Sequence, residues 1–258
     1  MVGTCKLCRK ENKELRNSHL LAKGLYPEET VIMTPEIALV SDKQIAAPLL
    51  CDDCEQRFNK YGECWMLRQV NSEKGFPLLE RLKLAIPVIT SGLYQYQAFS
   101  CTQTGIDSDR LAYFVLSVLW RASVKRWTLL GQVTNVTLAA HEEPVRQYLL
   151  GKTGFPADTV VHVTVCTDFA SQGSVYVPCR VPETPYTTYA LLTQGIYFRV
   201  LMGEELPLDV RQLCCVTGIR KLIFVANLED KTLQAFGRLN ATARIARNLQ
   251  TRAQTAES

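Results

Sequence analysis

No long apolar run occurs in this sequence, which argues against a membrane-spanning helix. The longest apolar stretch runs from Leu111 to Trp120 and covers ten residues, whereas a helix that crosses a bilayer needs about 20. The first twenty residues carry seven charged side chains and no apolar run, so they do not have the pattern of a secretory signal peptide. We therefore expect a cytoplasmic protein with no membrane partner.

The signatures of several enzyme classes are also missing. The sequence has neither a glycine-rich phosphate-binding loop nor a Gly-x-Ser-x-Gly elbow, which disfavours the common nucleotide-binding and hydrolase classes. It shows no internal repeat, and 14 Gly and 11 Pro among 258 residues are too few for a collagen-like or low-complexity chain. The composition is that of a globular protein, with 47% apolar residues and a net charge of +4. This charge favours nucleic acid only weakly over other partners.

Cysteine, by contrast, is plentiful. The chain has ten cysteines, and four of them form two matched pairs, Cys5-x-x-Cys8 and Cys51-x-x-Cys54, separated by 42 residues. Because the cytosol keeps thiols reduced, metal ligation explains them better than disulfides. Two residues between thiolates let one turn present both sulfurs to a single ion, and two such turns complete a structural Zn²⁺ site. Chance pairs of buried thiols and a redox motif fit less well, since both pairs flank polar turns and neither lies in a βαβ pattern.

A histidine lies between the two cysteine pairs. His19 stands in the segment LRNSHLLAK, and the second pair is followed by EQRFNKYGE. The latter segment is typical of a helix that begins at the zinc site, with Glu55 and Asn59 on one face. A solvated helix face is the expected environment of Glu63. For His19, a structural place in the hairpin or in the zinc shell competes with a catalytic role.

Together these segments resemble the zinc-stapled form of the HNH endonuclease fold, a ββα-metal unit built on a treble-clef zinc site. The resemblance rests on the first CxxC pair, on the histidine in the first hairpin and on LLCDDCEQRFNKYGE at the start of a helix. More narrowly, LRNSHLLAKGLY and YFVLSVLWRAS are similar to a largely uncharacterised bacterial and phage family with a Ser-His-Ile-Ile-Pro-Lys-like motif. This similarity spans roughly the first 150 residues.

The resemblance implies catalytic roles for two residues. In the HNH superfamily the hairpin histidine is the general base that activates water, which implies that role for His19. It also implies that Glu55, directly after the last cysteine, is a ligand of a catalytic Mg²⁺ or Mn²⁺ ion. The chain departs from the superfamily at two positions. Ser18 stands where an Asp or His ligand is usual, and Ala46 or Ala47 stands where an Asn orients the histidine.

The middle of the chain is expected to be helical. Apolar residues at i, i+3, i+4 and i+7 predict a core helix over Asp107–Arg126 with Ser108 as its N-cap. Arg121 in its last turn is expected to complement the helix dipole, with phosphate contact as the alternative. A second, shorter helix is predicted over Glu142–Gly151.

The last hundred residues have a different pattern. From Thr159 onward, β-branched and aromatic runs separated by turn residues predict an antiparallel sheet, in which His162 is a satisfied sheet histidine. The segment Lys231–Arg252 has a charge of +5 on a predicted helix. A solvated helix is the favoured interpretation, and this segment is the best candidate in the chain for contact with a nucleic-acid backbone. The candidate contacts on this helix are Arg238, Arg244 and Arg247.

The sequence therefore predicts an α+β protein in two parts. Residues 1–70 form a zinc-stapled HNH-like module, and residues 71–258 form a helical middle and a β-rich region closed by a basic helix. The leading hypothesis is a nuclease that hydrolyses nucleic-acid phosphodiesters in a phage or defence context, with structural Zn²⁺ and a catalytic Mg²⁺ or Mn²⁺. The alternative is a non-catalytic zinc-scaffolded protein that binds a protein or a nucleic acid.

Overall fold

The computed structural model describes residues 1–26, 30–34, 38–40, 44–92, 96–129, 132–134, 136–182 and 184–226. The strands are β1 (Val2–Gly3), β2 (Lys13–His19), β3 (Val31–Met33), β4 (Ala38–Val40), β5 (Ala46–Cys51), β6 (Ile89–Ser91), β7 (Tyr96–Ser100), β8 (Trp127–Leu129), β9 (Gln132–Thr134), β10 (Thr159–Cys166), β11 (Ser174–Val181), β12 (Thr187–Thr193), β13 (Ile196–Met202) and β14 (Leu222–Ala226). The helices are α1 (Asp52–Phe58), α2 (Cys64–Met66), α3 (Pro77–Lys83), α4 (Cys101–Thr104), α5 (Ser108–Val124), α6 (Glu142–Leu149), α7 (Phe169–Gln172) and α8 (Leu208–Gln212). A π-helical segment, Asn59–Glu63, joins α1 to α2, and 3₁₀ turns cover Lys23–Leu25 and Ala139–His141. The architecture is α+β, as the sequence predicts.

A nine-stranded sheet, counted over the described residues, forms one side of the core. Its strand order is β4-β3-β11-β12-β13-β10-β14-β7-β6. Neighbouring strands are antiparallel except for two parallel pairs, β3–β11 and β10–β14. The prediction of a C-terminal antiparallel sheet is therefore correct for its centre, but β3, β4, β6 and β7 from the first hundred residues extend both edges. Such short strands carry too little period-2 pattern to be recognised from sequence.

Helix α5 packs between the sheet and the N-terminal region. Its side chains are buried on all sides from Leu111 to Ala122, as expected for a helix inside a core. The Phe114 ring lies 6.0 Å from that of Phe198 on β13. The N-cap is Asp107, whose carboxylate accepts a hydrogen bond from the Arg110 backbone N–H at 3.0 Å. The predicted cap, one residue later, is wrong because a carboxylate both caps this turn and complements the helix dipole.

The apolar core extends across the predicted boundary at residue 70. Leu20 and Leu25 from the first part belong to the same buried cluster as Val161 and Phe198 from the sheet. The division into residues 1–70 and 71–258 stays a prediction. Within the described residues, no helix has the length and apolar character needed to cross a bilayer. The predicted basic helix lies outside the described residues, and so do its candidate phosphate contacts, Arg238, Arg244 and Arg247.

Candidate functional site

The four paired cysteines converge on one point. The sulfur atoms of Cys5, Cys8, Cys51 and Cys54 all lie within 4.8 Å of one another, and the Cys8 and Cys51 sulfurs are 3.8 Å apart. Two thiolates bound to one tetrahedral ion at about 2.3 Å are separated by about 3.8 Å. The donor set and its spacing therefore fit a structural Zn²⁺ ion, as the sequence predicts.

Local backbone structure presents these sulfurs. The first pair lies in a turn closed by a hydrogen bond from the Arg9 N–H to the Cys5 carbonyl at 2.9 Å. The second pair lies where β5 passes directly into α1. The Cys51 N–H donates to the Cys5 sulfur at 3.3 Å, a contact that favours the thiolate form of a ligand.

The crowding of four thiols is electrostatically unfavourable without a cation. A hydrogen bond from the Cys54 thiol, opposed by burial, lowers the pKa of Cys5 to about 4. The same contact, together with burial, raises the pKa of Cys54. Because two neighbouring thiolates repel each other, all four can ionise only around a positive ion. A bound Zn²⁺ would supply that charge.

Helix α6 holds the first cysteine turn in place. Arg146 donates from Nη1 to the Leu7 carbonyl at 2.6 Å, and its Nε and Nη2 donate to the Glu143 carboxylate at 2.8 and 2.6 Å. Glu143 also pairs with Arg9 at 2.7 Å. Because Leu7 lies between two zinc ligands, this contact joins the helical middle to the metal site.

The strands beside the metal site form the ββα unit expected from the resemblance. Strand β2 pairs antiparallel with β5, so that His19 lies opposite Ala46, and α1 follows β5 without a loop. The register shifts by one residue between Arg16 and Asn17, where Leu49 is an extra residue on β5, and such a β-bulge bends the strand that carries it. Ser18 is buried there and accepts a hydrogen bond from the Leu50 N–H at 3.2 Å. This serine therefore already has a structural partner.

Glu55 projects from α1 towards this strand end. Its Oε1 atom is buried and has no hydrogen-bond partner among the described residues. Burial raises the pKa of Glu55, while a hydrogen bond from Ser18 opposes the shift. The charge of Arg121 also lowers the pKa of Glu55, the charge of Glu63 raises it, and the nearby His19 makes a smaller contribution, so these groups share one electrostatic environment. Arg121, Glu63 and His19 are thus all near enough to Glu55 to influence its pKa.

An ion pair next to this site was not expected from the sequence. Arg121 on α5 donates to the Glu63 carboxylate at 2.6 Å, and the two side chains are only 1% and 10% exposed. The predicted solvated face for Glu63 is wrong. Arg121 does lie in the last turn of α5, as predicted, but its burial and its ion pair disfavour the alternative of a phosphate contact. A signal was present, because a helix that is apolar on every side must bury and pair any charge it carries.

Two further polar residues singled out in the sequence, His162 and Asn59, have hydrogen-bond partners in the structure. The imidazole of His162 lies 3.3 Å from the Val210 carbonyl, and burial lowers its pKa to about 4, so it is a satisfied sheet histidine as predicted. Asn59 is exposed, and its amide oxygen accepts a hydrogen bond from the Cys64 thiol at 2.8 Å. Its side chain already has a partner of its own.

Within the part of the chain that the structure describes, the cysteines are the single group of three or more Cys, His, Asp or Glu ligands that converge. Glu55 and His19 therefore do not form a second complete ligand cluster there. Comparison of the chain with protein-family models, with curated proteins and with solved structures found no match in any of the three. The HNH resemblance thus depends on the residues and their geometry.

Proposed function

We propose that the protein is a metal-dependent nuclease of the HNH type. The observation that carries this proposal is the buried Glu55 Oε1 atom, which lacks a hydrogen-bond partner among the described residues and lies on the helix of a ββα unit whose strand ends at His19. A buried carboxylate oxygen without a partner is costly unless a water molecule or an ion meets it. The electrostatic influence of Arg121, Glu63 and His19 on this carboxylate favours a functional explanation over a packing defect.

The chain's own residues suit phosphodiester hydrolysis. A neutral imidazole nitrogen accepts a proton, so His19 is suited to act as general base towards an attacking water molecule. Glu55 would hold a Mg²⁺ or Mn²⁺ ion through its buried oxygen, since these ions prefer oxygen ligands. Such an ion, when bound, would stabilise the negative charge that develops on the phosphate. The narrower family resemblance supports a phage or defence setting.

A second candidate is a zinc-scaffolded binding protein without catalysis. It is favoured by the lack of a second converging ligand cluster in the described residues. Ser18 adds to it, because a hydroxyl that already accepts a backbone hydrogen bond is a poor substitute for a carboxylate ligand. In this case the partner would be a protein or a nucleic acid.

A cleavage assay separates the two candidates. Zinc-loaded wild type, His19→Ala and Glu55→Gln proteins are incubated with plasmid, linear DNA and RNA in Mg²⁺ or Mn²⁺ at low salt. We expect cleavage by the wild type, a loss of at least about 100-fold in His19→Ala, and a loss in Glu55→Gln that higher Mn²⁺ partly restores.

Two matched variants control for unspecific damage. His141 lies outside the ββα unit and pairs with Asp158, and Glu80 pairs with Lys83 on the exposed face of helix α3. His141→Ala and Glu80→Gln should retain wild-type cleavage. If folded, zinc-loaded wild type cleaves none of the substrates, the binding candidate replaces the nuclease, and its nucleic-acid affinity is then measured against salt concentration.

A further inference from the structure

Among the ion pairs of the described residues, Arg121–Glu63 is the one in which both side chains are buried. Each of the other ion pairs there has at least one side chain that is 27% or more exposed. Removing two charges from water costs so much that well-packed apolar residues would often stabilise a core equally well. Stability alone therefore does not explain why a charged pair occupies this position.

The hydrogen bonds of Arg121 point to the candidate catalytic residues. Its Nη1 donates to the His19 carbonyl at 2.7 Å, while Nε and Nη2 lie 3.3 and 3.4 Å from the carbonyl and hydroxyl oxygens of Ser117. The guanidinium also lies 5.2 Å from the centre of the Phe58 ring on α1. One side chain thus links the end of β2 to α5 and to the helical run that carries Glu55.

The local geometry of that helical run brings Glu63 to Arg121. Asn59–Glu63 is π-helical, a distortion that is frequent at functional sites. Gly62 within it lies so close to α5 that a Cβ atom would be 3.1 Å from the Phe114 Cα. The absence of a side chain at this position lets the two helices approach, which places the neighbouring carboxylate beside the guanidinium.

We propose that Arg121, held by Glu63, is a positioning residue that fixes the strand end bearing His19 against the helix bearing Glu55. A direct contact with phosphate is disfavoured, because the guanidinium is buried and four of its hydrogen bonds go to protein groups. The expected effect of Arg121 on the cleavage rate rests on the proposed nuclease function. The expected effect of Arg121 on the geometry of His19 is independent of that function.

The test compares Arg121→Met with the double variant Arg121→Met/Glu63→Met, which removes both charges and retains an apolar contact. Glu63→Gln is a milder variant that keeps an acceptor for the guanidinium. The control is Arg110→Met, since Arg110 lies on the same helix in an exposed pair with Asp107. All proteins are checked for one bound zinc per chain and for cooperative unfolding.

Two measurements are made on the folded variants. The first is the NMR spectrum of the His19 ring, assigned with His19→Ala, in which we expect shifted or broadened signals for the double variant and for Glu63→Gln. The second is cleavage, in which kcat should fall at least about tenfold while KM stays within about twofold, because small displacements of a catalytic group slow the chemical step. Arg110→Met should change neither.

The outcomes separate the positioning role from the nuclease function. An unchanged His19 spectrum in the folded double variant overturns the positioning role, whether or not the wild type cleaves nucleic acid. An altered spectrum with a reduced kcat supports it. If the wild type is inactive and the spectrum still changes, the nuclease function fails and the positioning of His19 stands.

Discussion

The zinc unit, defined as β1, β2, β5, α1 and the four clustered cysteines, contrasts with the nine-stranded sheet in how it is stabilised. Most of β2 is exposed or half-buried, whereas nearly every residue of β12 and β13 is buried. The sheet can depend on apolar burial, whereas the zinc unit combines a few buried apolar side chains, such as Leu50 and Phe58, with polar contacts. Two buried arginines from neighbouring helices, Arg121 and Arg146, donate hydrogen bonds to its backbone, and an ion held by the four cysteines would stabilise it further. The zinc unit, which carries the candidate site, is thus stabilised by directional hydrogen bonds and metal ligands as well as by apolar burial.

The largest expected effect that sharpens this comparison is loss of the metal. Removing Zn²⁺ with a chelator, or replacing a ligand by Cys51→Ser, should remove on the order of 10 kcal/mol of binding free energy from the zinc unit. Amide hydrogen exchange should then become fast in β2 and β5 and stay slow in β13.

The matched control is Cys214→Ala, which removes a buried thiol outside the metal site. It should keep full zinc stoichiometry and cost about 1–2 kcal/mol. Retention of slow exchange in β2 after complete zinc removal would show that the zinc unit needs no ion and would end the contrast.

A core truncation in the sheet should give the next largest effect. Phe198 is fully buried and contacts Phe114 of α5, so Phe198→Ala should lower the free energy of unfolding by about 3–5 kcal/mol. Urea unfolding followed by circular dichroism measures this, with zinc release recorded in the same samples. If zinc release and loss of the sheet occur at one urea concentration in both proteins, the two regions unfold as a single cooperative unit.

Acid should weaken the sheet through a single histidine. Burial lowers the pKa of His162 to about 4, below the value near 6.5 expected in the unfolded chain. Between these values the unfolded state binds more protons, so the stabilisation is complete above pH 6.5 and is lost as the pH falls towards 4.

The variant His162→Gln removes this titration and keeps a group that can donate to the Val210 carbonyl. Between pH 7 and pH 5 the wild type should lose about 2 kcal/mol more unfolding free energy than the variant. Equal losses in urea titrations at the two pH values would show that this histidine is not buried in the neutral form.

The smallest effect concerns α5, which packs against both regions. Asp107→Ala should cost about 1 kcal/mol because the first turn loses its cap, whereas Asp107→Asn retains an acceptor and should cost much less. Thermal unfolding of the two variants provides the measurement. Equal stability of Asp107→Ala and wild type would show that the observed cap contributes nothing to the shared helix.

Much of the candidate site could be predicted from local spacing. Two CxxC pairs predict the metal site because their spacing is local, whereas the ββα unit was expected only from the resemblance to the HNH fold. The edge strands of the sheet could not be predicted, since β3 pairs with β11 across more than 140 residues. The N-cap of α5 was misplaced by one residue, because adjacent Asp and Ser are both good caps.

The sequence by itself determined the cysteine pairs, the apolar period of α5 and the β-branched and aromatic runs that form the central strands of the sheet, since each of these patterns is local. Only the tertiary structure decided that Arg121 meets Glu63 across 58 residues and that Arg146 reaches the turn between the first two cysteines. Such contacts depend on which helix faces meet, which is set by the packing of the whole core. Only that packing places Glu55, His19 and Arg121 in one electrostatic environment.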